Sequence, residues 1–279
     1  MTAADGGFLA VTPHPSPTRD LLATAARRRG MDVVELTAPD AAAELRDRPG
    51  GHYYGGPGLG AAVADDLGVA LLEPSDGWLP CLPWEFTRRR IRPMTLGEAR
   101  GLPGPVFVKP PRDKTFPAAV YEEGAELPGA HELSAGTPVL VSEVVGWAAE
   151  FRLFVLDGEV VTGSQYATYG RLDAVTLTHH HHRAAVEEFA SSLLAEHGNT
   201  LPSAVVLDVG LPARPERGTT GEWAVVEANM PWFSTVYAAD PARALEVTLR
   251  AAGPKAAVRA RDAEFVRGVR GCAHDCRTQ

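Results

Sequence analysis

The chain has 279 residues, of which 45% are hydrophobic and 22% charged, with a formal net charge of −8. That length allows two modest domains with buried cores, and the acidic balance disfavours a general nucleic-acid surface. No run of 18 or more apolar residues and no charged-then-apolar leader is present, so a cytoplasmic protein with no membrane partner is expected.

Phe8-Leu9-Ala10-Val11 reads as a short apolar strand. After Pro13, Pro15 and Pro17, Thr18 is a candidate cap for a helix over 19–29, with Gly30 as its stop. A second strand follows at 32–36, which makes the opening a βαβ unit and predicts a parallel sheet with helices on its faces. Residues 51–60 are glycine-rich and precede an apolar helix at 61–67. Their spacing is not a dinucleotide fingerprint and Pro57 removes a backbone donor, so a turn with close helix packing is expected there. Residues 69–72 read as another buried strand.

From residue 74 to 93 the texture changes to proline, tryptophan and arginine, which places a domain boundary near residue 80. Arg88, Arg89, Arg90 and Arg92 form the most basic patch, read either as a solvated helix face or as a contact for phosphate or carboxylate. A short helix is expected at 95–100. The apolar run Val106-Phe107-Val108 then ends on Lys109, where an unpaired ammonium would be costly. Lys114 follows five residues on, and two lysines flanking a strand and turn suit a polyphosphate.

A strand is expected over 138–145, broken by 146–149 before another at 150–156. Asp157-Gly158 signals a tight hairpin, with the chain returning antiparallel over 159–164. Glu150 and Arg152 share one strand face with Phe154, and can pair with neighbours or hold a ribose, a phosphate or a substrate carboxylate. His179 to His182 precede a helical stretch at 183–197. Four consecutive histidines point in different directions, so a solvated helix start is preferred to a ligand cluster.

Residues 204–211 form a buried-strand run carrying Asp208, and residues 212–222 form a turn. Trp223 to Val226 then run apolar into Glu227 and Asn229, which share a face because they are two apart. If the two strands pair as a hairpin, Asp208 faces Glu227 and Asn229, and three hard oxygen ligands converge in a manner suited to Mg²⁺. The three cysteines argue against a disulfide framework. Cys272 and Cys276 flank His274, but no further ligand follows them, so a loose reduced tail is expected.

This ordered set resembles the ATP-grasp superfamily, and within it the stand-alone clade named for one arginine and two lysines. The pieces that carry the resemblance are Leu-Leu-Glu-Pro-Ser-Asp-Gly-Trp-Leu-Pro at 71–80, Phe-Val-Lys-Pro at 107–110 with Lys114-Thr-Phe, and Ser-Glu-Val-Val at 142–145. Glu150-Phe-Arg152, Leu-Asp-Val-Gly at 207–210 and Val-Glu-Ala-Asn at 226–229 complete it. The resemblance implies an α+β / α/β architecture: an N-terminal βαβ pre-ATP-grasp domain (1–80), an ATP-grasp region (81–250) whose two α+β subdomains sandwich ATP, and a C-terminal helix and tail (251–279).

It also implies roles. Lys109 contacts ATP phosphates and Lys114 sits on the phosphate-covering loop. Glu143 begins the adenine hinge, completed by the backbone of Val144 and Val145. Glu150 holds ribose or orients cations, Arg152 stabilises the transferring phosphate, and Asp208, Glu227 and Asn229 hold Mg²⁺. The loop after Lys114 lacks the glycines that let such a loop approach phosphate closely. The implied activity is ATP-dependent joining of a carboxylate to an amine, with specificity from the N-terminal domain, the Arg88–Arg92 patch and the His179–His182 approach. A kinase and a non-catalytic nucleotide-binding module are the alternatives. The oligomeric state, a homo-oligomer included, is left open.

Overall fold

The computed structural model describes residues 7–112, 115–213 and 222–268. Strand β1 (Phe8–Val11) is wholly buried and pairs in parallel with β2 (Asp32–Glu35) and with β3 (Gly51–Tyr54), giving the order β2-β1-β3. Helix α1 (Pro17–Arg28) makes the first crossover, and Gly30, at φ 84°, turns the chain into β2. The cap is Ser16, whose Oγ accepts from the Arg19 amide at 3.1 Å. Thr18, expected to cap, lies inside the helix and is buried. Its Oγ1 accepts from the Val236 amide at 3.0 Å, which ties α1 to a distant segment.

The glycine-rich stretch is not simply a turn: β3 occupies its first half, and α2 (Pro57–Val63) begins earlier than expected. Gly51 is needed for close approach rather than for a turn, since a Cβ there would lie 2.6 Å from the Leu67 carbonyl oxygen. His52, Tyr53 and Tyr54 supply strand-forming bulk. Pro57 takes the first helical turn, where its missing N–H costs nothing.

After β4 (Val69–Leu71) come the short helices α3 (Trp78–Cys81) and α4 (Trp84–Thr87). Cys81 is disulfide-bonded, against the expectation that three cysteines form no disulfide framework; Cys272, His274 and Cys276, where a loose reduced tail is expected, lie outside the described residues. Strand β5 (Ile91–Thr95) leads into α5 (Leu96–Ala99), which is closed by a capping box between Thr95 and Glu98. With β6 (Val106–Lys109), β7 (Ala119–Tyr121) and β8 (Pro138–Ser142), β5 builds a four-stranded antiparallel sheet in the order β5-β8-β6-β7.

The second sheet is longer. Strand β9 (Gly146–Leu156) includes residues 146–149, which the sequence reading took as a break. They stay in the ladder because Gly146, Trp147 and Ala149 pair across the sheet. A hairpin at Asp157 (φ 52°) and Gly158 (φ 85°) turns β9 into β10 (Glu159–Thr168), as expected of this dipeptide. Strand β11 (Arg171–Thr176), helix α6 (Arg183–His197), β12 (Ala204–Ala213) and β13 (Ala224–Asn229) follow, and the sheet order is β11-β10-β9-β12-β13.

Alternation along β9 divides its two faces. Phe151, Leu153 and Val155 are buried in a core that includes Val186, Ala190 and Leu193 of α6, while Phe154 joins the core of the N-terminal sheet. Glu150 and Arg152 share the latter face, nearer the strand's start. Helix α7 (Pro241–Ala251) packs under the N-terminal sheet, and its cap Asp240 accepts from the Ala242 and Arg243 amides at 2.9 and 3.0 Å. Beyond residue 251, where a terminal helix is expected, the chain forms β14 (Ala252–Pro254) antiparallel to β4, then 3₁₀ turns through Phe265. The mixture is α+β as expected, and among the described residues no helix is long and apolar enough to cross a membrane.

Candidate functional site

The site is assembled where β9, β12 and β13 lie side by side. In the observed registers Asp208 sits opposite Arg152 on one side and opposite Glu227 on the other. The register shifts after Asp208, so that Val209 faces Val225 and Val226 is the extra residue. Such a bulge re-aims the neighbouring side chains, and here it precedes Glu227 by one position.

Arg152 meets Asp208 bidentately, Nε to Oδ1 at 2.8 Å and Nη2 to Oδ2 at 2.6 Å. The amide nitrogen of Asn229 donates to Asp208 Oδ2 at 3.3 Å and to Glu227 Oε1 at 2.8 Å. The other carboxylate oxygen of Glu227 accepts from Lys109 Nζ, which arrives from the end of β6 in the other sheet. The result is a row of five side chains, cation and carboxylate at each end with an amide between. Asp208 is buried at 1% exposure, and Glu227 stands more open at 30%.

The charges tune one another. Burial would raise the Glu227 carboxyl, but the Lys109 ammonium and the hydrogen bonds from Lys109 and Asn229 outweigh it and hold the pKa at about 2. Burial works against the Arg152 cation, and the Asp208 carboxylate more than offsets this, so its pKa lies above the ordinary value. Asp208 is pushed up first by its burial and further by Glu227, against the pull of Arg152. Glu150 is likewise raised, chiefly by burial with Asp208 and Glu227 adding, while the Tyr166 hydrogen bond and Arg152 oppose.

Two residues that the sequence reading missed complete this face. Tyr166 OH donates to Glu150 Oε2 at 2.7 Å, and its ring stacks on Tyr237 at 5.2 Å between centroids. The Arg152 guanidinium carbon lies 5.6 and 5.3 Å from the two ring centroids. Tyr237 adopts φ 51°, an uncommon conformation for a bulky residue. Neither tyrosine falls in a motif, and no periodic pattern marks them.

The remaining expected residues are placed as follows. Glu143, Val144 and Val145 form the link between β8 and β9, hence between the two sheets, and Glu143 Oε2 accepts from the Arg90 amide at 3.0 Å. Lys114 lies outside the described residues. The arginine patch is not one surface. Arg89 is 7% exposed and donates to the carbonyls of Val225 at 2.7 Å, Val226 at 2.9 Å and Thr87 at 3.0 Å, with its guanidinium 5.2 Å from the Trp147 ring. Burial lowers its pKa to about 10, with Glu227 opposing. Both sequence readings of Arg89, solvated face or ligand contact, give way to a buried brace behind the bulge of β13.

The histidines stand at the start of α6, as expected, with His179 and His181 exposed and His180 and His182 half-buried. The rings of His180, His181 and His182 lie 4.0 to 5.5 Å apart; His180 and His182 each meet Phe151 edge-on, and His182 also meets Trp223. Among the described residues no group of three or more His, Cys, Asp or Glu side chains is placed to hold a metal ion. Asp208, Glu227 and Asn229, the set expected to hold a metal, lie together in the row, with the Asn229 amide nitrogen turned toward the two carboxylates.

A cavity of about 730 Å³ is lined by Lys109, Glu227 and Asn229 together with Pro57 and residues 73–75. On its wall Glu73, 6% exposed, accepts from Arg112 and from Arg267 at 2.7 Å each, and Arg112 also meets Asp76 at 2.6 Å.

Residues 86–247 match the family model of an ATP-grasp domain, family 2 of the clade named for one arginine and two lysines. No curated protein matches the chain. Among solved structures, a RimK domain ATP-grasp protein from Sphaerobacter thermophilus is similar at 18% identity and TM-score 0.54, covering 87% of this chain and 100% of that one. D-alanine–D-alanine ligase from Bacillus anthracis is similar at 12% identity and TM-score 0.53, covering 88% and 97%. Its complex with ATP gives 13% identity and TM-score 0.51, covering 88% and 98%. At these identities the solved structures speak for the fold, and it is an ATP-grasp fold.

Proposed function

The chain belongs to the ATP-grasp domains of the one-arginine, two-lysine clade, family 2, and from that premise we propose that it is an ATP- and Mg²⁺-dependent ligase that joins a carboxylate to an amine. The observation that carries this reading is the row Arg152–Asp208–Asn229–Glu227–Lys109, in which two cations are held against two carboxylates at the edge of a cavity. Phosphoryl transfer asks of a protein mainly positioning and charge neutralisation, and these are the groups on offer.

In this reading Lys109 turns from Glu227 to the phosphates of ATP. Arg152, fixed by Asp208 and flanked by Tyr166 and Tyr237, faces the transferring phosphoryl group. Lys114 covers the phosphates, Glu150 holds the ribose, and Glu143 with the backbone of Val144 and Val145 receives the adenine. A substrate carboxylate oxygen attacks the γ-phosphorus, and the bond to the β,γ-bridging oxygen breaks, releasing ADP and an acyl-phosphate. The amine nitrogen then attacks the acyl carbon and loses a proton as phosphate leaves.

Asp208, Glu227 and the Oδ1 of Asn229 would hold Mg²⁺, and their chemistry fits, since hard oxygen donors suit this ion. Bound there, Mg²⁺ neutralises charge on the phosphate oxygens. The test is ADP release in the presence of ATP, Mg²⁺, a panel of carboxylates and hydroxylamine as the amine. ADP and hydroxamate should appear together and only with a carboxylate, and Glu227→Ala should abolish both. Release of ADP with a stable phosphorylated product that hydroxylamine leaves intact would replace this reading with a kinase.

A further inference from the structure

At the Arg152 end of the ionic row, the backbone of Tyr237 is held in an unusual state. Tyr237 is the first central residue of a turn closed by the Ala239 amide, which donates to the Val236 carbonyl at 3.1 Å, and its φ is 51°. A positive φ at that place in a turn ordinarily calls for glycine, asparagine or aspartate, and a tyrosine there works against its own Cβ. Asp157 and Tyr169 also have positive φ, but each precedes a glycine at a hairpin, and Arg88 ends α4. The turn at Tyr237 is pinned on both sides. The Val236 amide donates to the buried Thr18 Oγ1 at 3.0 Å and the Ala238 amide to the buried Ser164 Oγ at 3.2 Å. The Asp240 amide donates to Thr162 Oγ1 at 2.9 Å. Hydroxyls from α1 and β10 thus fix the amides on either side of Tyr237, and Ser164 is itself the ladder partner of Arg152. A backbone outlier that its surroundings hold in this way is characteristic of functional sites.

The two stacked tyrosines differ in their hydroxyls. Tyr166 commits its proton to Glu150 Oε2 at 2.7 Å. The Tyr237 hydroxyl has no hydrogen-bond partner among the described residues, although its ring centroid lies 5.3 Å from the Arg152 guanidinium carbon. Burial pushes the Tyr237 pKa up; Arg152 opposes this, and Asp208, Glu150 and Glu227 add to it. The phenol therefore keeps its proton and offers a donor rather than a base among these charges. Stacking on Tyr166 and contact with Arg152 account for an aromatic ring at this position, and phenylalanine would supply both. The half-buried hydroxyl is what they leave unexplained.

From this we infer that Tyr237 is a further catalytic residue, whose hydroxyl donates a hydrogen bond to a non-bridging oxygen of the phosphoryl group in transfer, beside the guanidinium of Arg152. A fixed donor aimed where charge gathers in the transition state is an effective form of catalysis. The proton stays on the tyrosine throughout, so no bond is made or broken at Tyr237 itself. The inference rests on the reading above only for the transfer of phosphate from ATP, and it does not depend on which acid or amine is joined.

The experiment compares the intact chain with Tyr237→Phe, which keeps the ring, the stack and the turn and removes only the hydroxyl. It measures kcat for ADP release with ATP, Mg²⁺, hydroxylamine and the carboxylate panel. It also measures the affinity for ADP with Mg²⁺, alone and with aluminium fluoride, which mimics the phosphoryl group in flight. In Tyr237→Phe kcat should fall about 10- to 100-fold, the loss of one hydrogen bond to a charged group. The tightening that aluminium fluoride gives to ADP should shrink by a similar factor. The KM for ATP, the affinity for ADP alone and the melting temperature should stay close to those of the unsubstituted chain. A full kcat or an undiminished tightening in Tyr237→Phe would reduce the tyrosine to packing, overturning the inference and leaving the ligase reading standing. If no acid supports ADP release, the ligase reading fails, and the aluminium fluoride comparison alone decides the role of Tyr237. Absence of any tightening in the unsubstituted chain overturns the inference as well.

Discussion

Breaking the Arg152–Asp208 pair by removing one partner should cost far more than removing both. Asp208 is 1% exposed and Arg152 11%, and they meet through two hydrogen bonds of 2.8 and 2.6 Å. Arg152→Met leaves a carboxylate in a place with almost no water, and Asp208→Leu leaves a guanidinium there; an orphaned buried charge of this kind costs about 3–5 kcal/mol. At about 2–4 °C per kcal/mol for chains near this size, each single substitution should lower the melting temperature by about 6–20 °C. The double substitution, which removes both charges and supplies apolar volume, should be less destabilised than either single variant, so the coupling exceeds the cost of one single substitution and lies above about 3 kcal/mol. The sign of the pH dependence is also fixed. In Arg152→Met the folded-state pKa of Asp208 lies further above its unfolded value, so the penalty is full above that folded pKa and fades as the pH falls and the carboxyl becomes neutral. Urea titrations at several pH values, without nucleotide or Mg²⁺ and with a common m-value, measure all of this. Single losses under about 1 kcal/mol, as for a surface pair, or a double variant as unstable as the sum of the singles, would refute the reasoning.

The Lys109–Glu227 pair should set part of the acid stability. Glu227 is held at about 2 against an ordinary 4.5, so its contribution is complete above about pH 4.5 and is lost as the pH falls toward 2. Lys109→Met should therefore move the acid-unfolding midpoint upward, as followed by far-UV circular dichroism, and an unchanged midpoint would count against the pairing. Arg89→Met removes the donors to Val225, Val226 and Thr87 and leaves buried carbonyls without them. A loss of about 2–4 kcal/mol in urea unfolding is expected, together with faster hydrogen exchange at the β12–β13 ladder; a surface-like loss near zero would contradict a bracing role.

Much of this site was legible because strands obey a period of two. Asp208 in one apolar run, Glu227 and Asn229 at the end of another, and Lys109 closing a third are visible as polar intrusions at strand positions, and the observed register brings Asp208 opposite Glu227. The extra residue at Val226 was not legible, since a bulge is a property of two strands and leaves no mark in either alone. Arg89 was misread for a related reason: a run of arginines looks like surface, and only the folded chain reveals carbonyls at the bulge that need donors. Tyr166 and Tyr237 come from separate segments and meet only in space. Glycines misled as well, because Gly51 serves close packing within a strand while the sequence offers turn formation as the simpler account.

The pairing of β4 with β14 bears on the order in which the protein can be made. Ribosomal synthesis delivers β4 early, yet its ladder partner Ala252–Pro254 and the Leu72–Val266 bridge emerge only after both larger sheets have been produced. Arg267, one of the two arginines on Glu73, comes later still. Until then the first sheet's companion strand has an open edge, and edges of that kind invite wrong partners. Nascent chains stalled before residue 252 should therefore depend on chaperones more than chains stalled after residue 268, although both already contain every residue of the ionic row.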